Sequence, residues 1–418
     1  MSQSDLQCRL SLDALNFFLA DVRDGLGPYL AIYLLTVEKW DAASIGIVMS
    51  VAGVATILAQ TPAGALIDRS RAKRGILAAA AIAITLAAVA LPFAPSFWSV
   101  ASLQAVSGAA GAIFPPAVAA VTLGIVGPKA FPRRVGRNEA FNHAGNAVAA
   151  AIAAGAAWFA GPIAVFWLMA AMTALSLAAT PFVPGDRIDH DMARGLEEGS
   201  GQVEHQPSGI SVLVTCPPLL VFALSTTLFH FANAAMLPLV GQKLALQDRN
   251  LGTTLMASCI VAAQLVMVPV AVLVGRFADR VGRKPIFLTG LAVLTLRGLL
   301  YPVSDNPFWL VGVQLLDGVG AGIFGALFPL VVADLMRGTG RFNIAQGAIA
   351  TAQGIGAALS TTVAGFIVTR ASYSAAFVFL ACVSAFGLAV AKLFLPETRR
   401  AADVRARTVP SGALKAAE

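Results

Sequence analysis

Long apolar runs alternate with short polar interruptions along nearly all of the 418 residues. A hydrocarbon core about 30 Å thick asks for roughly 20 apolar residues per helix, and the chain has room for twelve such segments. The first, 11–36, is the least apolar, and the second, 43–67, leads into a charged loop. The third, 76–93, is nearly featureless Ala, Ile, Leu and Val. One long stretch breaks the pattern, 184–208, with its Gly-Asp-Arg, Glu-Glu-Gly-Ser-Gly and His-Gln-Pro, and it reads as a flexible linker. The pattern predicts an all-α integral membrane protein with twelve transmembrane helices in two pseudo-symmetric six-helix bundles. The expected divisions are an N-terminal bundle (1–183), a linker (184–211), a C-terminal bundle (212–397) and a polar tail (398–418).

The two halves carry a repeat. Gly64-Ala65-Leu66-Ile67-Asp68-Arg69, followed by Arg71, Lys73 and Arg74, returns 211 residues later as Gly275-Arg276-Phe277-Ala278-Asp279-Arg280, followed by Gly282, Arg283 and Lys284. Gln104, Gly108, Ile113 and Phe114 return as Gln314, Gly318, Ile323 and Phe324 at a constant offset of 210. That is an internal repeat in parallel register. Glycine at 282 permits φ > 0 without steric cost, so the second loop is expected to turn more tightly than the first, where Arg71 holds the matching place.

The G-x-x-x-D-R pattern with trailing basic residues, between the second and third helices of each half, resembles the signature loop of the major facilitator superfamily. The second copy fits well; the first has Arg71 where the pattern has Gly and Ala72 where it has a basic residue. The resemblance implies a secondary transporter that works by rocking alternating access, in a cavity lined by the first, fourth, seventh and tenth helices. It implies conformational latches at Gly64, Asp68 and Arg69 and at Gly275, Asp279, Arg280, Gly282 and Arg283. In the fourth span it also fails. The Arg-x-x-Gln-Gly motif of proton-coupled antiporters has Gln104 and Ser107 in its place, and the Gly-Pro-x-x-Gly-Gly ending of the fifth span is absent. Proton coupling is therefore not carried over from those motifs.

Composition agrees with the membrane reading: 57% hydrophobic and 12% charged. A net charge of +7 raises nucleic acid as a partner, but the location of the charge excludes it. With the N-terminus inside, Arg23 and Arg297 fall within spans and, of the other Lys and Arg, only Lys39, Lys243, Arg249 and Arg370 fall outside. That split follows the positive-inside rule and predicts a cytoplasmic (inner) membrane protein with both termini cytoplasmic. The stretch 128–137, with Lys129, Arg133 and Arg134, is expected to be a cytoplasmic loop lying along the headgroups.

Ionisable and amide side chains inside spans mark the candidate pathway, because a charge at mid-bilayer costs several kcal/mol unless paired or wet. Asp21 and Asp24 share one helical face with Arg23 on another; the alternatives are function or a salt bridge serving packing. Gln104, Asn142 and His143 follow, Glu139 and His143 lying one turn apart; His143 is read as a proton relay or as plain interhelical hydrogen bonding. His230 and Asn233 share a face of the seventh span, and Gln314 and Asp317 lie in the tenth, Asp317 about 15 Å in at 1.5 Å per residue. Arg297, near the outer end of the ninth, reads as snorkelling. His190 and His205 read as solvated, and the tail after the twelfth span as having nothing to bury.

No nucleophile elbow, phosphate-cradling Gly-x-x-x-x-Gly-Lys or metal cluster is present, so neither an enzyme nor an ATP-driven pump is predicted and no cofactor is called for. Cys8, Cys216, Cys259 and Cys382 lack pairing or metal spacing and read as apolar fillers, with coordination of a soft metalloid as the sharper alternative. The first apolar stretch, interrupted by Asp13, Asp21, Arg23 and Asp24, reads as a span and not a cleaved leader. The leading expectation is a monomeric, proton-coupled exporter of a drug-like compound, metabolite or metalloid, similar to bacterial efflux members of the family. The alternatives are a proton-coupled importer of a small organic acid held by Arg23, and a transporter-like sensor.

Overall fold

The computed structural model describes residues 3–24, 27–160, 163–196, 210–247 and 249–399, and within the first helix the side chains of Asp21, Arg23 and Asp24 lie outside the described residues. Helices and no strands occur among the described residues, because backbone in hydrocarbon must satisfy its own hydrogen bonds. The N-terminal half comprises α1 (Gln3–Asp24), α2 (Gly27–Thr36), α3 (Ala42–Arg69), α4 (Lys73–Ala90), α5 (Phe97–Gly111), α6 (Phe114–Ala160) and α7 (Ala164–Ala179). The C-terminal half comprises α8 (Val212–Thr215), α9 (Pro217–Ala234), α10 (Met236–Gln247), α11 (Arg249–Val281), α12 (Arg283–Leu300), α13 (Pro307–Leu335), α14 (Phe342–Arg370) and α15 (Tyr373–Phe394).

Among the described residues, ten helical stretches are long and apolar enough to cross a membrane. One of them, Phe97–Ala153, has 57 residues, roughly three times the requirement for one crossing. The excess resolves at Gly127 (φ 69°, ψ 169°), which divides the stretch into two crossings, α5 with the first arm of α6 and the second arm of α6. Pro128 then opens the next helix, where its missing N–H is no loss. This corrects the expectation of a headgroup loop over 128–137: those residues are helical, and Arg134 is buried. The charged first span, α1 with α2, supplies the twelfth crossing.

Each half has an apolar core. Leu12, Leu15, Val48, Ile84, Val121 and Phe166 belong to one, Phe222, Phe287, Leu310, Phe342 and Phe377 to the other. Phe131, Val135 and Ala140 of α6 join the second core, so apolar packing crosses between the halves. The pseudo-symmetry extends to capping. Ser96 accepts from Ser99 N before α5, and Asn306 from Phe308 N before α13, at the 210-residue offset of the sequence repeat.

The halves meet along two helix pairs, α3 with α14 and α6 with α11, and glycine sets how close they come. A Cβ on Gly136 would lie 2.4 Å from Ala271 O, and one on Gly347 2.1 Å from Gln60 O. The hydroxyls of Thr61 and Thr351 bond at 3.0 Å. Following the same faces away from the signature loops, the contact ends. Gly53 and Gly46 on α3 continue the stripe that runs through Gly64, Gln60 and Ile57, yet a Cβ on either would meet nothing within 4 Å; Gly365 on α14 is alike. Along α3 and α14 the halves are thus in contact on the side of the basic loops and not at these glycines on the far side.

The linker expectation also changes. Residues 184–196 are packed rather than flexible: Ile188, Met192, Ala193 and Leu196 are buried, and His190 is half-buried with Nδ1 enclosed and without a bonding partner. Burial, then Lys73 and Arg71, holds the His190 imidazole below its ordinary pKa. Residues 197–209, with His205, lie outside the described residues.

Gly347→Val should pry the halves apart on the loop side, because backbone cannot yield to the new methyls as a flexible side chain would. Spin labels at the loop ends of α3 and α14 should report a longer distance than in the parent, with helical circular dichroism unchanged. An unaltered distance would show that the interface accommodates the side chain.

Candidate functional site

Arg297 organises a buried polar network in the C-terminal half. It is 1% exposed and lies in the last turn of α12, in a stretch otherwise made of apolar residues and threonine after Arg283 and Lys284. Its Nη1 donates to Asp317 Oδ1 at 2.6 Å and also to Asn233 Oδ1, its Nη2 to Gln314 Oε1 at 3.1 Å, and its Nε to Tyr301 OH at 3.0 Å. Tyr301 OH in turn donates to Gln314 Oε1, and Gln314 Nε2 to Asp317 Oδ2 at 3.0 Å. Two helical spacings make this closure possible: Arg297 and Tyr301 are four apart, Gln314 and Asp317 three apart, so each pair shares one face. A buried ion pair survives desolvation only when its remaining donors and acceptors are also met, as they are here.

Asn233, Gln314 and Asp317 were expected from sequence and are brought together. Arg297 and Tyr301 were missed. Snorkelling fails for Arg297 because α9 and α13 present three side-chain acceptors at its own level. Tyr301 lies just past the last helical turn and gave no signal beyond a lone phenol near a span end.

His230, one turn before Asn233, sets its ring edge-on to Phe324 (centroids 4.7 Å, 89°), and its Nε2 is buried without a bonding partner. His143 bonds Gln264 Oε1 through Nδ1 at 2.7 Å, a contact between the halves, while its Nε2 is buried without a partner. Glu139 Oε2 approaches to 3.5 Å of where a Cβ on Gly325 would stand, so this carboxylate faces α13. Asn142 is buried beside them on α6. Gln104 differs from its repeat partner Gln314: it reaches Met49 Sδ at 3.8 Å inside the N-terminal half. The side chains of Asp21, Arg23 and Asp24 lie outside the described residues.

The two signature loops are used differently. Asp68, at the end of α3, accepts from Asn343 N at 3.2 Å, Asn343 Nδ2 at 2.8 Å and Ile344 N at 2.9 Å. These amides belong to the first turn of α14, whose N–H groups have no partner within the helix and whose dipole favours an anion. Gly64 makes room for the approach: its Cβ would stand 2.2 Å from Asn343 O. Arg69 beside it is exposed. Asp279 instead pairs with Arg283 Nη1 at 2.9 Å, and Arg283 Nε with Asp334 at 3.0 Å, within one half. Gly282 adopts φ 105°, the tight turn expected of it.

The chain after α15 completes the second loop. Glu397 accepts from Arg283 N at 2.8 Å and Lys284 N at 3.1 Å, and Arg399 Nη1 donates to Asp279 O and Arg280 O. The expectation of a tail with nothing to bury is corrected at Arg399, whose Nε is enclosed; 400–418 lie outside the described residues. Gly275 faces Gly136, and Arg280 stacks over Phe277 at 5.9 Å.

The mismatch at Arg71 and Ala72 also has a structural reason. Lys73 opens α4 as Arg283 opens α12, and both are buried. The first loop therefore holds one extra residue, which is why the repeat offset falls from 211 to 210 there. A last cluster had no sequence signal: Asp13, buried in α1, pairs with Arg134 and Arg137 of α6 at 2.6 Å each, and Arg134 bonds Asn138 at 2.7 Å.

A family model described as Major Facilitator Superfamily matches residues 12–270 and 222–416. An uncharacterised MFS-type transporter of Mycobacterium tuberculosis is 58% identical over 401 residues, 96% of each chain. The methylenomycin A resistance protein of Streptomyces coelicolor is 23% identical over 49% of this chain and 42% of its own. Among solved structures, the human organic anion transporter MFSD10 superposes with a TM-score of 0.70 at 14% identity, over 94% of this chain and 100% of that one, a likeness of fold.

Arg297→Met should strand Asp317 without its cation, a change worth about 3–5 kcal/mol for a buried pair. Thermal unfolding in detergent should show a clear fall, recovered in large part by Arg297→Met with Asp317→Leu. Equal loss in single and double variants would mean that shape, not charge, dominates. Separately, Asp68→Asn should open the loop side, read by spin-label distances between the halves. Asp279→Asn should shift it less, since Asp279 pairs with an arginine of its own half.

Proposed function

Because the chain belongs to the major facilitator superfamily of membrane transporters, we propose that it is a proton-coupled exporter of a small organic molecule. The observation that carries this reading is the buried Arg297–Asp317 pair, tied by Asn233 to the helix that bears His230. Protonating Asp317 would cancel its charge-assisted bonds to Arg297 and free Asn233 and Gln314 to re-pair. Proton uptake would thereby change the wall of the space between the halves. The sequence nominates Asp24, with Asp21, as the main proton site and Asp317 as the next; the pairing of Asp317 with Arg297 is what moves it forward in this proposal.

Alternating access supplies the transport step. With the basic loops cytoplasmic, the arrangement of the halves corresponds to an outward-facing state held by Asp68 on the α14 N-terminus. Substrate would reach Glu139, His143, His230 and Phe324 from the open side, and protonation would accompany the return. Export is favoured over import because a relative matched over 49% of this chain is named for resistance to methylenomycin A. Arg297 also argues against an organic-acid substrate in this half, since its bonds already go to Asp317, Asn233, Gln314 and Tyr301.

A deletion strain screened against toxic compounds should become more sensitive to at least one and accumulate more of it; lower accumulation would favour import. In proteoliposomes loaded with a pH dye, that compound should drive proton movement in the parent. Asp317→Asn should abolish uphill transport while counterflow exchange persists. Uphill transport at the parental rate would make Asp317 structural and leave Asp24→Asn as the decisive variant.

A further inference from the structure

We infer that residues 183–196 form a strap, carried by the N-terminal half, that fastens onto the C-terminal half when the loop side is closed and must let go for the halves to alternate. The inference rests on the transport reading above and adds a moving part to it. The strap is internally ordered. Asp189 Oδ1 accepts from Asp191 N and Met192 N, each at 2.9 Å, capping the short turn Met192–Arg194. Gly195 then ends that turn in the left-handed region, φ 89°.

Its attachment to the N-terminal half is close and apolar. Arg74 donates to Val183 O, and Asp189 N to Gly124 O at 3.0 Å. Val183, Ile188 and Ala193 belong to the N-terminal core. Gly124 is the seat: a Cβ there would lie 2.7 Å from Asp189 O and 3.0 Å from Ile188 Cγ2.

The attachment to the C-terminal half lies at the junction of α13 and α14. Asn343, 0% exposed, donates its Nδ2 both to Ala193 O at 2.9 Å and to Asp68 Oδ1 at 2.8 Å. Gly338 N donates to Gly195 O, and Met192 packs in the C-terminal core. Gly195 touches the first residue of α14, its Cβ position being 3.1 Å from Phe342 Cβ. One amide thus serves two clasps. The side chain that receives Asp68 also receives the strap, so separation of α3 from α14 breaks both. The N-terminal attachments have no such conflict and persist through the motion.

The test is a reversible cross-link in the full chain, with Cys8, Cys216, Cys259 and Cys382 replaced. Gly195→Cys with Phe342→Cys places two Cβ atoms near the spacing a disulfide needs. Spin labels across the far mouth then read the two states. Reduced protein should populate both distances. Oxidised protein should keep the far-mouth-open distance alone, the other falling by about tenfold or more, and reductant should restore it. Both distances persisting after complete oxidation would overturn the strap and leave the transport reading standing; a single distance in both redox states would overturn the two together.

Because the cysteine pair introduces strain at a positive φ, Gly124→Val gives an independent reading. It unseats the strap from its own half without touching α14. An Ala193→Cys probe should then react with a polar maleimide about tenfold faster than in the parent. Equal rates would overturn the proposal.

Discussion

A carboxylate at the end of one helix and the bare amides at the start of another hold the closed side together. Asp68 receives two backbone N–H groups and one side-chain amide from the first turn of α14. The glycine approaches between α3 and α14 follow the stripe that begins there, through Gly64, Gln60 and Thr61 to Ile57. A helix N-terminus in a membrane protein has few ways to satisfy its donors away from water, and the anion supplies one. The bond is therefore strong when made and needs no partner of opposite formal charge. That suits a contact which, in the proposed transport cycle, is broken and remade.

The halves repeat in sequence but not in how they are fastened. A one-residue difference between Asp68–Lys73 and Asp279–Arg283 goes with it: Asp68 reaches across to α14, whereas Asp279 pairs with Arg283 one turn on. Around Asp279, Arg283, Asp334, Glu397 and Arg399 build a closed group within the C-terminal half. Around Asp68 the hydrogen-bond donors come from the opposite half, and one of them, Asn343, also holds the linker at Ala193 O. The repeat made two similar loops, and one became a joint between the halves while the other became part of a wall.

The spans were legible because hydrocarbon leaves a pattern in composition that little else imitates. Asp317, Gln314 and Asn233 were legible too, since polar groups stand out in apolar helices. Arg297 was not, because a cation near a span end has an inexpensive alternative in snorkelling, and only the positions of neighbouring helices decide against it. Asp13 and Arg134 were not legible as a pair either, because 128–137 looked like a loop and nothing in the sequence brings it to the first span. Two prolines and four cations in ten residues resemble an interfacial segment; that Pro128 opens a helix depends on the φ of Gly127. The strap was hidden by its own composition. Short polar residues usually mean solvated chain, and the apolar Ile188, Met192 and Leu196 are too few to outweigh them.

Gly127 carries a mechanical meaning as well. One residue joins two crossings with no slack between them, so α6 behaves as a bent rod with a stiff elbow. Its second arm bears Gly136 and His143 at the contact with α11; its first arm packs in the N-terminal core through Phe114, Ala117 and Val121. A tilt imposed on the second arm cannot be taken up by a loop and is passed as torque to the first. The N-terminal half is thereby geared to turn as one piece.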